Sequence, residues 1–206
     1  MIKIHGHVLT HGNIKDSQLD AAIKENYPNG IDFCYTDPPW GNSNLKYWET
    51  MNKKMNGQST DQIDQLLLEN RVVRLICDNV RKYAFIVYGV HQAESLMNII
   101  KEQKEVTDVQ YIEKKYKSGN KWLKNCVIAI TLNNAEPIDW SALLVNQDEQ
   151  KGLHVVCKAL VGKYNSCMDI FIGQGFYLEI LHKYGFKVIG NELNQSRLNK
   201  AVARLK

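Results

Sequence analysis

The sequence lacks the features that mark membrane, secreted and disulfide-linked proteins. None of its apolar runs reaches the roughly 18 residues that a transmembrane helix requires. Its first residues, MIKIHGHVLT, have neither the basic stretch nor the long apolar core of a signal peptide. The five cysteines stand singly and never form a C-x-x-C pair, which indicates reduced thiols within a core. The sequence therefore predicts a cytoplasmic protein that does not associate with a membrane.

Metal-ligating residues are also sparse. His5, His7 and His11 lie close together, and an H-x-H pair on a strand would present two imidazoles on one face. No cysteine or acid nearby completes a coordination shell, so no metal site is expected.

Neither sign of charge dominates. The 26 Lys and Arg residues exceed the 22 Asp and Glu residues by a formal net charge of +4, which is compatible with a polyanionic partner but does not require one. Hydrophobic residues make up 44% of the chain and charged residues 23%, so its 206 residues have the composition and length of one globular α/β domain.

What the sequence does have is an alternation of helical and strand-like apolar spacing. This order predicts an α/β fold with a mostly parallel sheet and helices on both faces. Two β-rich runs joined by Ser118-Gly119-Asn120 predict an antiparallel hairpin at one edge of the sheet. The predicted helices cover residues 61–76, 91–103, 148–164, 176–184 and 195–205, and the predicted strands cover 82–89, 167–172 and 186–190.

An acid, two prolines and a tryptophan follow directly on another predicted strand, residues 31–35. Ligands of open α/β sheets bind outside the carboxyl ends of the strands, so Asp37 and Trp40 are expected at the mouth of an active site. Pro38 and Pro39 restrict the backbone and remove two N–H donors, which leaves rigid carbonyl acceptors. The alternative for this stretch is a type I turn with a surface tryptophan.

A glycine turn, FIGQGF, separates the strand and the helix predicted near the end of the chain. Gly173 and Gly175 would let backbone amides approach a ligand, and Glu192 ends the next strand at a spacing suited to binding ribose hydroxyls. Leu178 stands where a dinucleotide fingerprint has its third glycine, which favours a nucleoside without a pyrophosphate. The alternative is a tight turn followed by a helix cap at Glu192.

The motif Asp37-Pro38-Pro39-Trp40 early in the chain and Phe171-x-Gly173-x-Gly175 late in it resemble the amino-methyltransferases that use S-adenosylmethionine, in their permuted β group. The resemblance implies a Rossmann-like methyltransferase fold over residues 1–206, one domain in which the catalytic motif 37–40 precedes the cofactor motif 169–175. It also implies a set of cofactor-binding residues, namely Asp169, Phe171, Gly173, Gly175, Glu192 and Asn13. Two of its positions depart from the family, since Asn13 replaces an aspartate that contacts the cofactor's adenine and Phe176 replaces a serine or threonine.

The resemblance assigns a role to each residue of the first motif. Asp37 and the Pro38 carbonyl would accept the two N–H groups of an exocyclic base amine, Pro39 would stiffen the turn, and Trp40 would stack on the base. An aspartate at the first position goes mostly with adenine N6, so the predicted activity is methylation of adenine N6 in DNA. The alternatives are RNA adenine N6 methylation, DNA cytosine N4 methylation, and a catalytically inactive methyltransferase-like module that binds nucleic acid.

Basic and aromatic residues alternate in the predicted hairpin. Lysines neutralise phosphates and exposed rings stack on unpaired bases, so this segment is a candidate nucleic-acid surface. Its candidate residues are Lys114, Lys115, Lys117, Lys121 and Trp122. The alternative is a solvated edge whose lysines discourage aggregation. No segment is long enough for a separate recognition domain, so either specificity is modest or it comes from loops, from a second copy in a homodimer or from a partner subunit.

Overall fold

The computed structural model describes the chain except for residues 17, 42–44, 48, 49, 52, 55–63, 119 and 146, and it describes residues 117, 118, 149 and 150 through their backbone alone. The strands are β1 (Ile2–Ile4), β2 (His7–His11), β3 (Ile31–Thr36), β4 (Val80–Tyr88), β5 (Val106–Ser118), β6 (Lys121–Leu132), β7 (Ser166–Asp169) and β8 (Lys187–Glu192). They form one sheet in the order β1-β2-β8-β7-β3-β4-β6-β5.

Several of the α-helices begin where a polar side chain satisfies their first backbone N–H groups. Four of them start after Asp64, Asp139, Asp148 and Asn194, whose side chains accept hydrogen bonds from the first turn. The helices are α1 (Gln18–Asn26), α2 (Gln65–Asn79), α3 (Ala93–Lys101), α4 (Trp140–Leu144), α5 (Glu149–Leu160), α6 (Phe176–Lys183) and α7 (Gln195–Ala203), with a short 3₁₀ turn at Val90–Gln92. None of the helices within the described ranges is long and apolar enough to cross a membrane.

The centre of the sheet is parallel and its edges are antiparallel. Strands β2, β8, β7, β3 and β4 run parallel, whereas β6 pairs antiparallel with β4 and β5 antiparallel with β6. The predicted mostly parallel sheet with a hairpin edge is therefore confirmed. A short antiparallel pair at the opposite edge, β1 with β2, was not predicted.

The β1–β2 pair changes the interpretation of the early histidines. His5 and Gly6 form the turn between the two strands, with φ values of 49° and 82°, as a two-residue hairpin turn requires. His5 and His7 therefore do not share one strand face, and the H-x-H prediction was wrong about their geometry.

Two apolar layers cover the sheet. One face packs against α1, α2 and α3, and the other packs against α4 to α7. β3 is buried at all its positions from Ile31 to Thr36, as expected of a central parallel strand covered on both sides. The end of this strand thus emerges from the middle of the sheet.

β7 ends earlier than the sequence predicted. The strand stops at Asp169, whose side chain accepts a hydrogen bond from the backbone N–H of Phe171 at 3.2 Å. Such a local side-chain bond competes with the strand ladder and turns the chain. The residues that follow therefore form a loop at the sheet edge.

Candidate active site

Three polar residues meet at the carboxyl edge of the sheet. β8, β7 and β3 are parallel neighbours, so their carboxyl ends open on the same side. Glu192 is the last residue of β8, Asp169 is the last residue of β7, and Asp37 follows β3. Residues that the sequence separates by more than half of the chain are thereby brought to one edge.

The D-P-P-W turn is folded back on itself. The indole Nε1 of Trp40 donates a hydrogen bond to Oδ1 of Asp37 at 3.3 Å. Pro38 is buried, while Asp37, Pro39 and Trp40 are half-buried. Trp40 also packs against the apolar layer formed with α1, α2 and α3. The ring is therefore held at two edges.

Gly89, just after β4, provides the second contact of the Trp40 ring. A Cβ atom at residue 89 would lie 2.5 Å from Cε3 of Trp40, so only glycine lets the ring approach this closely. The backbone of Gly89, with φ −73° and ψ 132°, is ordinary extended chain. Any residue can adopt this backbone, and nothing in the sequence around Gly89 indicates its role.

A buried carboxylate lies beneath the two prolines. Pro38 and Pro39 line a crevice with side chains of α2, α3 and β4, among them Glu69 and Tyr88. Glu69 is buried and accepts hydrogen bonds from three groups, the Tyr88 hydroxyl, Gln65 Nε2 and the Ser95 hydroxyl. Burial, together with the Glu69 carboxylate, raises the pKa of Tyr88. This network, which sequence analysis missed, supports the turn from below.

Thr36 connects the D-P-P-W turn to the end of β7. Its hydroxyl donates to Oδ1 of Asp169 at 3.3 Å, and both side chains are fully buried. The other carboxylate oxygen, Oδ2, has no hydrogen-bond partner among the described residues. Burial raises the pKa of Asp169 to about 7, against the hydrogen bonds from Phe171 and Thr36 that lower it. An unpartnered buried oxygen of this kind fits a ligand that donates hydrogen bonds.

The two glycines of the turn have different roles. Gly173 has φ 58°, and a Cβ there would meet nothing closer than the Phe171 carbonyl at 3.9 Å, so the space beside it is open. Gly175 has φ 83°, and a Cβ there would lie 2.6 Å from Cα of Ala201 in α7. Gly173 therefore leaves room for a ligand, whereas Gly175 lets α7 pack closely against the start of α6.

Glu192 holds the glycine turn. Its Oε2 accepts from the backbone N–H of Gly173 at 3.0 Å and its Oε1 from the backbone N–H of Asn194 at 2.7 Å. Burial raises the pKa of Glu192, against these hydrogen bonds and nearby Arg197, which lower it. Each carboxylate oxygen can accept more than one hydrogen bond, so both retain capacity for a ligand.

Asn13 and Phe176, the two positions that differ from the amino-methyltransferase motifs, have partners within the chain. Oδ1 of Asn13 accepts from the backbone N–H of Lys15 at 3.1 Å, in the loop that Gly12 ties to the Glu192 carbonyl at 3.2 Å. Phe176 is 52% exposed, and the guanidinium of Arg204 lies 3.8 Å from the centroid of its ring. Asn13 therefore lies beside the site, whereas Phe176 makes a surface cation–π contact.

The fold itself matches solved structures along almost the whole chain, although no family model and no curated protein matches the sequence. M1.HpyAVI in complex with SAM has a TM-score of 0.63 at 14% identity, covering 97% of this chain and 99% of its own. TTHA0409 from Thermus thermophilus, described as a DNA modification methylase, has a TM-score of 0.60 at 14% identity over 97% of this chain and 94% of its own. The PvuII DNA methyltransferase, which is cytosine-N4-specific, has a TM-score of 0.58 at 13% identity over 99% of this chain and 89% of its own. The chain has the methyltransferase fold.

Within this methyltransferase fold, the β5–β6 hairpin projects beyond the site. Tyr88, the last residue of β4, pairs with Cys126, which pairs with Glu113. The hairpin continues past this point to the pair of Ser118 with Lys121. At about 3.4 Å per residue, the five further pairs overhang the edge by about 17 Å.

One face of the overhang is exposed, aromatic and basic. Directly paired residues share a face of the sheet, as do residues two apart along one strand. Lys115, Lys124 and Trp122 therefore lie on the same face as Tyr88 and Cys126. Trp40 packs on this face as well. Trp122 is 62% exposed, and Lys124 forms a salt bridge with Glu113 at 2.6 Å. Lys121 is exposed at the tip, and the side chain of Lys117 lies outside the described residues.

Lys114 does not belong to this surface. It lies on the opposite face of the strand, is only 2% exposed, and donates a hydrogen bond to the carbonyl of Leu144 at the end of α4. Burial lowers the pKa of Lys114 to about 8. Its placement among the exposed lysines was therefore a mistake, because strand alternation turns it toward a helix C-terminus whose carbonyls need donors.

His7, one of the early histidines, pairs with His182 away from the site. Nδ1 of His7 accepts from the backbone N–H of Val188 at 3.0 Å, so the ring proton belongs on Nε2, which donates to Nδ1 of His182 at 2.9 Å. Burial, together with His182, lowers the pKa of His7 to about 4. In the part of the chain that the structure describes, no three or more His, Cys, Asp or Glu side chains are grouped to hold a metal ion.

Proposed function

We propose that this protein is an S-adenosylmethionine-dependent DNA methyltransferase that methylates the exocyclic N6 amine of adenine. Residues 1–206 would form one domain in which the catalytic motif 37–40 precedes the cofactor motif 169–175. The observation that carries the proposal is the contact between Thr36 and Asp169. It joins the residue before Asp37 to the loop that would bind the cofactor, so the two motifs act at one edge of the sheet.

The proposed cofactor fits the residues of the glycine turn. The open space at Gly173 would admit it, the lone pairs of Glu192 would accept its ribose hydroxyls, and the unpartnered oxygen of Asp169 would accept its ammonium group. Asn13 follows β2 and Phe171 follows β7, so both lie in loops at the same edge of the sheet. When bound, S-adenosylmethionine supplies a methyl group on a positively charged sulfur. Crystals of M1.HpyAVI and TTHA0409 with this compound support the assignment.

The D-P-P-W turn would prepare the amine for methylation. The lone pair of an exocyclic base amine is delocalised into the ring, so the amine is a poor nucleophile. If Asp37 accepts one N–H and the Pro38 carbonyl accepts the other, the nitrogen moves toward tetrahedral geometry and its lone pair is oriented for attack. Pro39 keeps the turn rigid. Methyl transfer would leave the nitrogen with two hydrogens and a positive charge, and one of these protons would pass to Asp37 or to solvent, giving the neutral N-methyl amine.

Trp40 would stack on a base that has been flipped out of the DNA duplex. A base inside a duplex cannot reach this site, so it must be flipped out at a cost of a few kcal/mol. Stacking on an aromatic ring contributes about 1–3 kcal/mol per base and offsets much of that cost.

Adenine is proposed as the target because the motif begins with aspartate. The second candidate is cytosine N4, which is favoured by the similarity to the cytosine-N4-specific PvuII enzyme. Both bases present an exocyclic amine, and the groups that would hold that amine are the same.

The exposed face of the hairpin would bind the DNA. Lys115 on this face, together with Lys117 and with Lys121 at the tip, would neutralise phosphates, and Trp122 would stack on a base or sugar near the flipped nucleotide. The overhang supports this assignment, since it carries these residues out over the edge at which Trp40 lies.

The test is an incubation with methyl-labelled S-adenosylmethionine and DNA or RNA, followed by digestion and identification of the modified nucleoside. N6-methyladenine from DNA is the expected product, and Asp37→Ala should abolish it while calorimetry shows cofactor binding intact. N4-methylcytosine would overturn the adenine assignment. Cofactor binding without any product would instead indicate the inactive nucleic-acid-binding module.

A further inference from the structure

Trp40 contacts Asp37 in a way that stacking on a base does not require. Its indole Nε1 donates to Oδ1 of Asp37 at 3.3 Å, and both side chains are half-buried. We propose that this N–H positions the Asp37 carboxylate for catalysis, so that Trp40 is a positioning residue as well as the stacking surface. The inference rests on the proposed function and concerns the same site.

The ring is fixed opposite its N–H by Gly89. A Cβ at residue 89 would lie 2.5 Å from Cε3 and 3.1 Å from Cδ2 of Trp40, so the six-membered ring rests directly against this backbone. The Gln92 side chain closes the same region, because its amide group lies near the Cα of both Gly89 and Gly41. The indole is therefore held at one edge by backbone, and its N–H edge points at the carboxylate.

In this arrangement one ring, that of Trp40, contacts both the Asp37 carboxylate and the stacked base. A carboxylate on a short side chain can still rotate, and a hydrogen bond to one oxygen restricts that rotation. Because the bond comes from the ring on which the base would stack, one rigid group links the position of the Asp37 carboxylate to that of the base amine. Phenylalanine and tyrosine could provide the stacking surface, but neither has an N–H at this place in the ring. The hydrogen bond to Asp37 thus gives a reason for tryptophan at position 40 besides the stacking area of its ring.

The sharpest test replaces Trp40 by 3-benzothienylalanine, in which sulfur substitutes for the indole N–H and the bicyclic shape is kept. We expect kcat to fall about tenfold, which corresponds to about 1.4 kcal/mol, with KM for DNA and the Kd for S-adenosylmethionine close to the parent values. Trp40→Phe should also lower kcat, and because its ring is smaller it should in addition raise KM for DNA modestly. Parental kcat in the 3-benzothienylalanine variant would overturn the positioning role, as would a change confined to KM.

Trp140 provides the matched control. It is fully buried, and its Nε1 has no hydrogen-bond partner among the described residues, so the same replacement there removes no hydrogen bond that the structure shows. The variant with 3-benzothienylalanine at position 140 should keep the parental kcat. If its kcat falls as much as that of the Trp40 variant, the loss comes from the sulfur-containing ring itself, and the inference is overturned.

A second measurement tests the contact without turnover. In ¹⁵N-indole NMR spectra, Asp37→Ala should move the Trp40 Nε1–H resonance and leave that of Trp140 in place; an unmoved Trp40 resonance would overturn the contact. A parent protein that binds S-adenosylmethionine but yields no methylated product would refute the proposed function, and the positioning role with it. Parental kcat in the 3-benzothienylalanine variant would refute the positioning role alone.

Discussion

Replacing Gly89 by alanine adds one methyl group beside Cε3 of the Trp40 ring. The new Cβ would lie 2.5 Å from Cε3 of Trp40, whereas ordinary contacts begin at 3.4 Å, so the ring must move by about 1 Å. The backbone itself should tolerate alanine, because φ is −73° and ψ is 132°. Gln92 also meets the new methyl, but its flexible amide can turn away more easily than a bicyclic ring.

The expected consequence is a loss of turnover with the fold intact. A displacement of 1 Å in a catalytic site can cost about 10²-fold in rate, so kcat of Gly89→Ala should fall by up to that factor, about 2.7 kcal/mol. Affinity for S-adenosylmethionine should change little, because Gly173 and Glu192 are held by other strands. The measurements are methyl transfer at saturating DNA, calorimetry with the cofactor, and thermal unfolding.

Gly152→Ala is the matched control. Gly152 lies in α5, and a Cβ there would meet only Leu144 Cδ2, at an ordinary 3.8 Å. This variant should keep parental kcat and be at least as stable, since alanine favours helix by about 0.5–1 kcal/mol over glycine. If a folded Gly89→Ala protein turns over at the parental rate, the position of Trp40 does not govern catalysis and the reasoning fails.

Four further predictions concern the cofactor, the stability of the fold and the DNA. Burial raises the pKa of Asp169 from 3.8 to about 7. If the ammonium group of the cofactor requires ionised Asp169, the Kd for S-adenosylmethionine should rise about tenfold for each pH unit below 7 and level off above pH 7. Asp169→Asn should remove this pH dependence. Because the pKa of Asp169 is higher in the folded protein than in the unfolded chain, ionisation of Asp169 destabilises the fold, and the urea midpoint of the parent should fall as pH rises from about 4 to 7. Asp169→Asn should remove this part of the pH dependence of stability. Glu192→Ala should weaken cofactor binding by about 1.5–3 kcal/mol in calorimetry, the value of a hydrogen bond to a charged group, and unchanged affinity would contradict the ribose assignment. Neutralising Lys115, Lys117 and Lys121 together should reduce the salt dependence of DNA binding by about 0.9 in log–log slope per lysine, whereas the same change at the exposed Lys158, Lys163 and Lys200 should not.

The sequence alone was sufficient for features that depend on near neighbours. Two adjacent prolines stiffen a turn wherever they occur, and two glycines between a strand and a helix make a tight turn from their own backbone freedom. Apolar spacing likewise predicted the α/β order and the hairpin edge, because the side-chain periods of strands and helices are local properties. For these reasons local sequence patterns were enough to propose Asp37, Trp40, Gly173 and Glu192 as site residues.

The contacts between those segments were decided by the tertiary structure. Thr36 bonds to Asp169, and Gly89 supports Trp40, because β7 and β4 both lie beside β3 in the sheet. Strand order depends on how the whole core packs, and nothing in either segment specifies its neighbour. The same holds for Lys114, which strand alternation and α4 turn inward from a row of otherwise similar lysines. Local chemistry thus determined which groups are available, and packing determined which of them meet.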